Sequence, residues 1–196
     1  MSPKSAKQFN DIRKQKKDLI LETALGLFAE NGFHATSISQ IAKKAGISKG
    51  LTYNYFESKK ELLDEIIEHG FTTIYENFDI NKDGTLSKEE FIYFIKQNFK
   101  LVRDNTKHWK LFFSLMLQPH VADSFAKDYE NKGAPLFQML FKFLKSQGSK
   151  DPQGDLMVIS SMLEGAFLYC VTAPDIFPAE IMEEKVINAC FKIING

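Results

Sequence analysis

The sequence has little that is typical of a secreted, anchored or membrane-spanning protein. Its two cysteines, Cys170 and Cys190, have neither metal-site spacing nor a disulfide framework around them. The continuous apolar stretches fall short of the roughly 18 residues that a spanning helix needs. The first twenty residues are rich in lysine and have no apolar signal segment behind them. We therefore expect a cytoplasmic protein with two buried, reduced thiols and no membrane partner.

Motifs of the common enzyme classes are also missing from the sequence. It contains no nucleophile elbow, phosphate-binding loop, HExxH pair or dinucleotide fingerprint. The histidines are scattered without metal spacing, and they are His34, His69, His108 and His120. An enzyme is thus the least supported of the alternatives, and we expect no catalytic residues and no required cofactor.

The net charge is zero, but positive and negative residues are unevenly distributed along the chain. Residues 1–60 contain 11 Lys or Arg against 5 Asp or Glu, whereas residues 61–196 contain 14 against 20. The first segment is suited to binding phosphate, and the second is not.

Helical periodicity runs from one end of the sequence to the other, without the period-two alternation of a sheet. The pattern predicts an all-α fold of about nine helices, with an N-terminal three-helix domain at 1–57 and a helical bundle at 58–196. We expect the seventh helix to be irregular around Gly133-Ala134-Pro135. The predicted ranges are 9–31, 38–45, 49–55, 58–78, 88–103, 106–117, 119–147, 151–172 and 178–194.

Residues 38–56 have the layout of a helix-turn-helix, with Gly46 at the turn. Ile38, Ile41, Ala42 and Ala45 form the inward stripe. Two short core helices with solvated lysines would give a similar pattern. In a helix-turn-helix, the exposed side of the second helix reads DNA, and helix starts at Ser37 and Ser48 offer amides to phosphate. The candidates on that side are Ser48, Lys49, Gly50, Thr52, Asn54 and Tyr55.

The stretch from Ile20 to Leu63 resembles the N-terminal domain of the tetracycline-repressor (TetR) family. The matching segments include Leu27-Phe28, Gly32-Phe33, Thr36-Ser37-Ile38, the run 41–48, Tyr53-Asn54-Tyr55-Phe56 and Glu61-Leu62-Leu63. The resemblance implies that Thr36, Tyr55 and Lys59 contact phosphates and that Ser48, Lys49, Gly50, Leu51 and Thr52 form the base-reading surface. Tyr53 and Phe56 are expected to be packing residues, and Asn54 stands where many members have His.

The sequence after residue 70 departs from the family, and its function has to be argued from composition. Eighteen Phe are many for this length, and they form either an ordinary core or an apolar, aromatic effector pocket. The pocket candidates are Phe94, Trp109, Phe112, Phe113, Met116, Phe137, Phe141 and Phe167. We expect a hydrophobic or planar ligand, whose identity cannot be read from the sequence.

The resemblance also implies a homodimer that binds a double-stranded DNA operator. In similar proteins the last two helices pair with those of a second subunit, and a two-fold dimer suits a pseudo-palindromic site. Most members repress. Here helices 8 and 9 carry the apolar residues Leu156, Ile159, Leu163, Phe167, Ile181, Val186, Ile187, Phe191 and Ile194.

A loop between helices 4 and 5, Asp79 to Glu90, fits the twelve-residue EF-hand pattern, which is unexpected in this family. A well-capped turn would use many of the same residues. The alternative function is therefore a regulator whose DNA binding responds to Ca²⁺. The candidate ligands are Asp79, Asn81, Asp83, the Thr85 carbonyl, Ser87 and Glu90.

Overall fold

The computed structural model describes the backbone of residues 6–196 and the side chains of residues 7–119, 121–122 and 133–196. The described part of the chain is all-α, which confirms the predicted fold class. Its helices are α1 (Ala6–Asn31), α2 (Ile38–Lys44), α3 (Lys49–Tyr53), α4 (Lys59–Tyr75), α5 (Lys88–Asp104), α6 (Thr106–Met116), α7 (Pro119–Ser146), α8 (Pro152–Thr172) and α9 (Ala179–Asn195).

Serine caps fix where four of these helices begin. The hydroxyls of Ser37, Ser48, Ser58 and Ser87 each accept a hydrogen bond from the backbone amide three residues later, which satisfies a donor left over at the helix start. Complete capping boxes form at Ser37 and Ser87. At the start of α4 the capping box is only half formed, because the Glu61 carboxylate accepts from the Glu57 amide.

The prediction of an irregular seventh helix is wrong. Pro135 lies inside α7, and the helix continues through it. Proline removes one backbone hydrogen bond and crowds the preceding turn, but this helix is anchored on both sides of it. Val121 before the proline and Leu140 and Leu144 after it are buried in the core. The stabilisation from core packing therefore outweighs the cost of the hydrogen bond that Pro135 removes.

The hydrophobic core runs without a break between the two predicted domains. α1 packs against α4 and α6 as well as against α2, so that Ile20 and Leu25 of α1 belong to the same buried cluster as Leu115 of α6. We call α1–α3 the head and residues 58–196 the bundle. The boundary at residue 57 stays a prediction.

Among the described helices, α8 is long and apolar enough to cross a membrane, judged by length and composition alone. We did not predict this, because Ser160, Ser161 and Glu164 interrupt its apolar run. α8 contacts α5, α6, α7 and α9, and Ile159 and Cys170 are buried on its inner face. That inner face has the composition expected of a core helix.

Both cysteines are buried and reduced, as predicted. Burial raises the pKa of the Cys190 thiol to about 12 and that of the Cys170 thiol to about 11. Because only the thiolate is a strong nucleophile, both residues act as small apolar groups at neutral pH.

Candidate functional site

The turn between α2 and α3 closes as the helix-turn-helix pattern requires. Gly46 has φ +68°, a left-handed conformation that suits glycine. The Ile47 amide donates to the Ala42 carbonyl at 3.0 Å, and the Gly46 amide donates to the Lys43 carbonyl at 3.2 Å. This paired pattern is a Schellman motif. The motif reverses the chain sharply between α2 and α3.

One face of α3 is open to solvent and carries polar groups. Lys49, Gly50 and Asn54 are exposed, and Ser48 caps the helix by accepting from the Leu51 amide at 3.1 Å. Tyr53 is 46% exposed, although we expected it to pack inside. Its ring lies 5.8 Å from the Lys49 ammonium. The exposed face of α3 thus consists of Lys49, Gly50, Tyr53 and Asn54.

The structure does not place Thr52 on that face. Thr52 is fully buried, and its hydroxyl lies 3.4 Å from the Ser48 carbonyl. Thr52 and Phe56 are both buried, so this part of the segment faces the core. The burial of Thr52 does not support the prediction that it reads bases, and Leu51 is only half-exposed.

Thr36 is also buried rather than available to phosphate. It is 2% exposed, and its hydroxyl lies 2.9 Å from the Gly32 carbonyl and 3.2 Å from the Leu27 carbonyl. Leu27 lies near the end of α1, and Gly32 directly follows this helix. The Thr36 hydroxyl therefore packs on the end of α1, and its burial does not support the predicted phosphate contact.

Lys59 holds the loop between α1 and α2. Its ammonium donates to the carbonyls of Phe33 at 2.7 Å, Thr36 at 2.8 Å and His34 at 3.1 Å, and it lies 4.5 Å from the centre of the Phe33 ring. A lysine ammonium has three protons, and all three are used here. In this arrangement Lys59 positions the backbone of the α1–α2 loop instead of donating a hydrogen bond to a DNA phosphate.

Two further candidates lie at the rim of the head. Ser37 is exposed, with its hydroxyl engaged by the Gln40 side chain at 2.8 Å. Tyr55 is half-buried, and the guanidinium of Arg13 from α1 lies 5.9 Å from the centre of its ring. Arg13 thus brings a positive charge from α1 beside the second helix of the motif.

The bundle contains a cavity of about 490 Å³ between α4, α5, α6, α7 and α8. Its wall is largely apolar, and nine of its lining residues carry aromatic rings. The lining residues are Phe71, Ile74, Tyr75, Phe78, Phe91, Phe94, Phe112, Phe113, Met116, Leu117, Leu136, Phe137, Leu140, Ser160, Ser161, Leu163, Glu164, Gly165, Phe167 and Leu168.

Six of the eight predicted pocket residues line this cavity: Phe94, Phe112, Phe113, Met116, Phe137 and Phe167. Trp109 does not, because it is buried behind the wall with its ring centre 5.5 Å from that of Phe112. Phe141 is half-buried on α7 and does not line the cavity either.

The sequence reasoning missed the wall formed by α4 and the polar edge formed by α8. Phe71 and Tyr75 of α4 line the cavity, although neither was among the predicted pocket residues. The polar edge consists of Ser160, Ser161 and Glu164 on α8. Glu164 and Ser161 are exposed, which places this edge at the cavity mouth.

Gln118 connects the cavity wall to the head. It follows Met116 and Leu117, which line the cavity. Its side-chain amide donates to the Phe28 carbonyl at 2.7 Å, and its side-chain oxygen accepts from the Phe33 amide at 3.1 Å. Nothing in the sequence signals this contact. The α6–α7 junction is thus hydrogen-bonded directly to the loop that Lys59 also holds.

The EF-hand-like loop is folded by hydrogen bonds within itself. Lys82 and Gly84 have φ of +56° and +76°, and the Gly84 amide donates to Asp79 Oδ2 at 3.0 Å. Glu90 accepts from the Ser87 amide and hydroxyl at 3.0 and 2.8 Å. Among the described residues, no three acidic, His or Cys side chains come together closely enough to hold a metal ion.

Two features of the loop carboxylates still favour their use as oxygen ligands for a cation. Asp79 Oδ1 is buried and has no hydrogen-bond partner. Hydrogen bonds from the Thr85 hydroxyl and amide lower the pKa of Asp83, and those from the Ser87 amide and hydroxyl lower the pKa of Glu90. Asp83 and Glu90 thus stay ionised at neutral pH.

Comparison with known proteins places the head in a family. Residues 20–66 match the family described as bacterial regulatory proteins, tetR family. This segment of the chain is therefore similar to tetR-family regulators. The match covers the second half of α1, the helix-turn-helix and the first half of α4, including the exposed face of α3 and the lysine that holds the α1–α2 loop.

Among curated relatives, the chain is similar to the fatty acid metabolism regulator protein of Bacillus subtilis. The two are 30% identical over 91 residues, which cover 46% of this chain and 47% of the relative. The chain thus spans about half the length of this curated relative.

Solved structures extend the likeness to the whole TetR-type fold. A TetR-like transcriptional regulator from Rhodococcus sp. RHA1 aligns with a TM-score of 0.74 at 22% identity, covering 92% of this chain and 96% of the other. The fatty acid degradation regulator FadR from Bacillus halodurans aligns with a TM-score of 0.71 at 17% identity, covering 96% of both chains. At these identities the likeness establishes the fold.

Proposed function

We propose that this protein is a DNA-binding transcriptional repressor that a small apolar or aromatic molecule releases from its operator. The observation that carries the proposal is the tetR-family head, with a solvent-open α3 on the positively charged part of the chain. In a helix-turn-helix protein, the second helix enters the major groove. Lys49 and Asn54 are the side chains of α3 best placed to meet base edges, and such a protein acts in the cytoplasm.

The proposed contacts with the DNA backbone lie at the rim of the same surface. Tyr55 and the α2 start at Ser37 are the proposed phosphate contacts, since a helix N-terminus offers amides to an anion. The head is positively charged, which favours attraction to the duplex before any base is read. Thr36 and Lys59 contribute indirectly, because they fix the loop from which α2 begins.

The proposed active form is a homodimer through α8 and α9. Several large apolar side chains on these helices are exposed in the single chain, namely Met157, Val158, Tyr169 and Ile181. Ile181 belongs to the predicted stripe as well, but Ile159, Leu163, Phe167, Val186 and Ile194 of that stripe are buried in the chain's own core. Covering the exposed set with a second copy would remove apolar surface from water and provide the two heads that a palindromic site requires.

The 490 Å³ cavity is the proposed effector site, and its size is within the range of small-molecule pockets. A ligand that enlarges it would push on Phe71 and Tyr75 of α4 and on Met116 and Leu117 beside Gln118. Both routes end at the α1–α2 loop, through Lys59 at the start of α4 and through Gln118. The ligand thereby changes the orientation of the head.

The test begins with selection of duplexes from a random DNA library by the full chain. We expect a palindromic consensus, with two chains bound per duplex. Hydrophobic compounds that raise the melting temperature are then assayed for displacement of that duplex. Phe113→Ala, inside the cavity, should change the response to the compounds, whereas Phe9→Ala, on an exposed part of α1, should not. Compounds that stabilise the protein but never alter DNA affinity would contradict the ligand-responsive part of the proposal.

A second candidate function is modulation of DNA binding by Ca²⁺ at the loop Asp79–Glu90. The buried, unpartnered Asp79 Oδ1 favours it. Phe78 and Phe91, which immediately flank the loop, line the cavity, so a bound cation would act on the cavity wall. Binding requires that Glu90 leave the Ser87 cap, because the carboxylates do not converge as they stand.

A further inference from the structure

An aromatic ring of α6 packs directly against the backbone of α4. Gly70 is buried in α4, and a Cβ atom at this position would lie 2.2 Å from Cε2 and 2.3 Å from Cζ of Phe112. Carbon atoms in van der Waals contact are about 3.5–4.0 Å apart. Any side chain at position 70 would therefore have to displace the Phe112 ring.

The backbone of α4 does not itself require glycine at position 70. Gly70 lies inside the helix and is not among the described glycines with positive φ, so alanine could adopt the same backbone conformation. Glycine also lowers the stability of a helix relative to alanine. What alanine would lack is room, because the Phe112 ring occupies the place of its methyl group. The gain from glycine at this position is therefore the space that it leaves for Phe112.

The Phe112 ring also borders the 490 Å³ cavity. Phe112 lines the cavity, whereas Gly70 does not. The ring centre of Trp109 lies 5.5 Å from that of Phe112, at an interplanar angle of 78°, and Phe112 is 2% exposed. Close-packed neighbours resist displacement, whereas the cavity contains unfilled space. A Phe112 ring pushed away from α4 therefore moves most easily into the cavity.

From these contacts we propose that Gly70 sets the size of the ligand that the cavity accepts. With no side chain at position 70, the Phe112 ring lies against α4 and the cavity stays large enough for bulky polycyclic apolar molecules. A side chain there would move the ring into the cavity and leave room only for smaller molecules. This rests on the proposed effector role of the cavity and adds ligand size to it. Gly70 is thus a specificity-determining residue outside the cavity lining.

The experiment compares two neutral probes of different size on the full chain. N-phenyl-1-naphthylamine is bulky, and its fluorescence rises in an apolar cavity. Indole is compact, and its binding is measured by calorimetry. In Gly70→Ala we expect the affinity for N-phenyl-1-naphthylamine to fall about tenfold or more, because the displaced ring overpacks the complex, and the affinity for indole to change by less than about twofold.

Two further variants separate this role from an effect on helix stability. Adding Phe112→Leu to Gly70→Ala removes the ring atoms that the new Cβ would meet, and should restore the affinity for N-phenyl-1-naphthylamine to within about twofold. The control is Gly26→Ala, which makes the same change inside α1, where a Cβ atom meets nothing within 4 Å. This control should leave both affinities unchanged. The melting temperature of every variant is measured alongside.

The outcomes separate ligand size from the effector role. Loss of N-phenyl-1-naphthylamine binding in Gly70→Ala, recovered with Phe112→Leu and with indole binding retained, supports the inference. An unchanged affinity for the bulky probe, an equal loss of both probes, or a Gly70→Ala chain that does not fold would overturn it, because each means that the ring does not simply move into the cavity. Binding of the bulky probe by the unchanged protein would still leave the cavity as a ligand site. If the unchanged protein binds neither probe, both the size selection and the effector role fail.

Discussion

The Gln118 side chain accepts a hydrogen bond at 3.1 Å from the backbone amide of Phe33, 85 residues earlier in the chain. The same side chain donates to the Phe28 carbonyl at 2.7 Å. One residue at the α6–α7 junction thus satisfies two backbone groups at the end of α1, next to the loop from which α2 begins. This is a direct polar link between the α6–α7 junction, beside the cavity wall, and the head.

Gln118→Ala should lower the free energy of unfolding by about 1–3 kcal/mol, because it leaves the Phe33 amide without its partner and removes one of the two hydrogen bonds to the Phe28 carbonyl, which the Gly32 amide also contacts. Urea denaturation measures this. Gln147→Ala, which changes an exposed glutamine after α7, is the matched control and should stay within about 0.5 kcal/mol of the unchanged protein. Equal losses in the two variants would mean that the Gln118 contacts contribute nothing specific.

Lys59→Ala distinguishes a positioning role from a phosphate contact. Because all three ammonium protons serve carbonyls of the α1–α2 loop, we expect weaker operator binding and a lower melting temperature. The slope of log affinity against log salt should remain unchanged. A lost phosphate contact would instead reduce that slope by about 0.9. A reduced slope together with normal stability would overturn the positioning role.

Substitutions in α3 should have different effects, depending on whether the side chain faces solvent or the core. Lys49→Ala should alter the preference among operator variants by about 1–3 kcal/mol at a single base pair. Thr52→Ala should act on stability instead, because Thr52 is fully buried, and should leave the preference among variants unchanged. Binding to a panel of operators with single base changes measures both. If Thr52→Ala alters base preference and Lys49→Ala does not, the assignment of the α3 surface is wrong.

Much of the fold could be predicted from the sequence because its signals are local. Capping serines, glycine stops and helical periodicity placed the helices close to their observed ends, with the clearest differences at α1, which begins at Ala6 instead of Phe9, and at α4, which ends at Tyr75 instead of Phe78. The irregularity expected at Pro135 was a local argument that tertiary packing overrode. The burial of Cys170 and Cys190 followed from ordinary residue preference.

The site was harder to predict, because side-chain direction depends on long-range contacts. From their positions in the motif, Thr36, Thr52 and Lys59 are predicted to contact DNA. In the structure the side chains of all three contact carbonyls of the protein's own backbone. The same holds for the stripes of α8 and α9, whose periodicity cannot tell a core face from a dimer face. The hydrogen bond between Gln118 and Phe33 could not be predicted, because no sequence pattern links these two residues.

Calcium titration tests the loop Asp79–Glu90. If the loop is a cation site, calorimetry should show heat at millimolar Ca²⁺ that is lost in Glu90→Gln and in Asp79→Ala, because these variants remove the bidentate ligand and the first ligand of the pattern. Operator binding with and without Ca²⁺ then shows whether the site is regulatory. The absence of heat at millimolar Ca²⁺, or equal heat in the variants, would reduce the loop to a capped turn.

The affinity of the full chain for its selected palindrome, measured against a scrambled duplex of the same length and composition at the same salt concentration, tests the central claim most directly. Fluorescence anisotropy of labelled duplexes gives both dissociation constants. A sequence-reading repressor should bind the palindrome at least about a thousandfold more tightly, with two chains per duplex. Equal affinity for the two duplexes would contradict the proposal that this protein reads an operator.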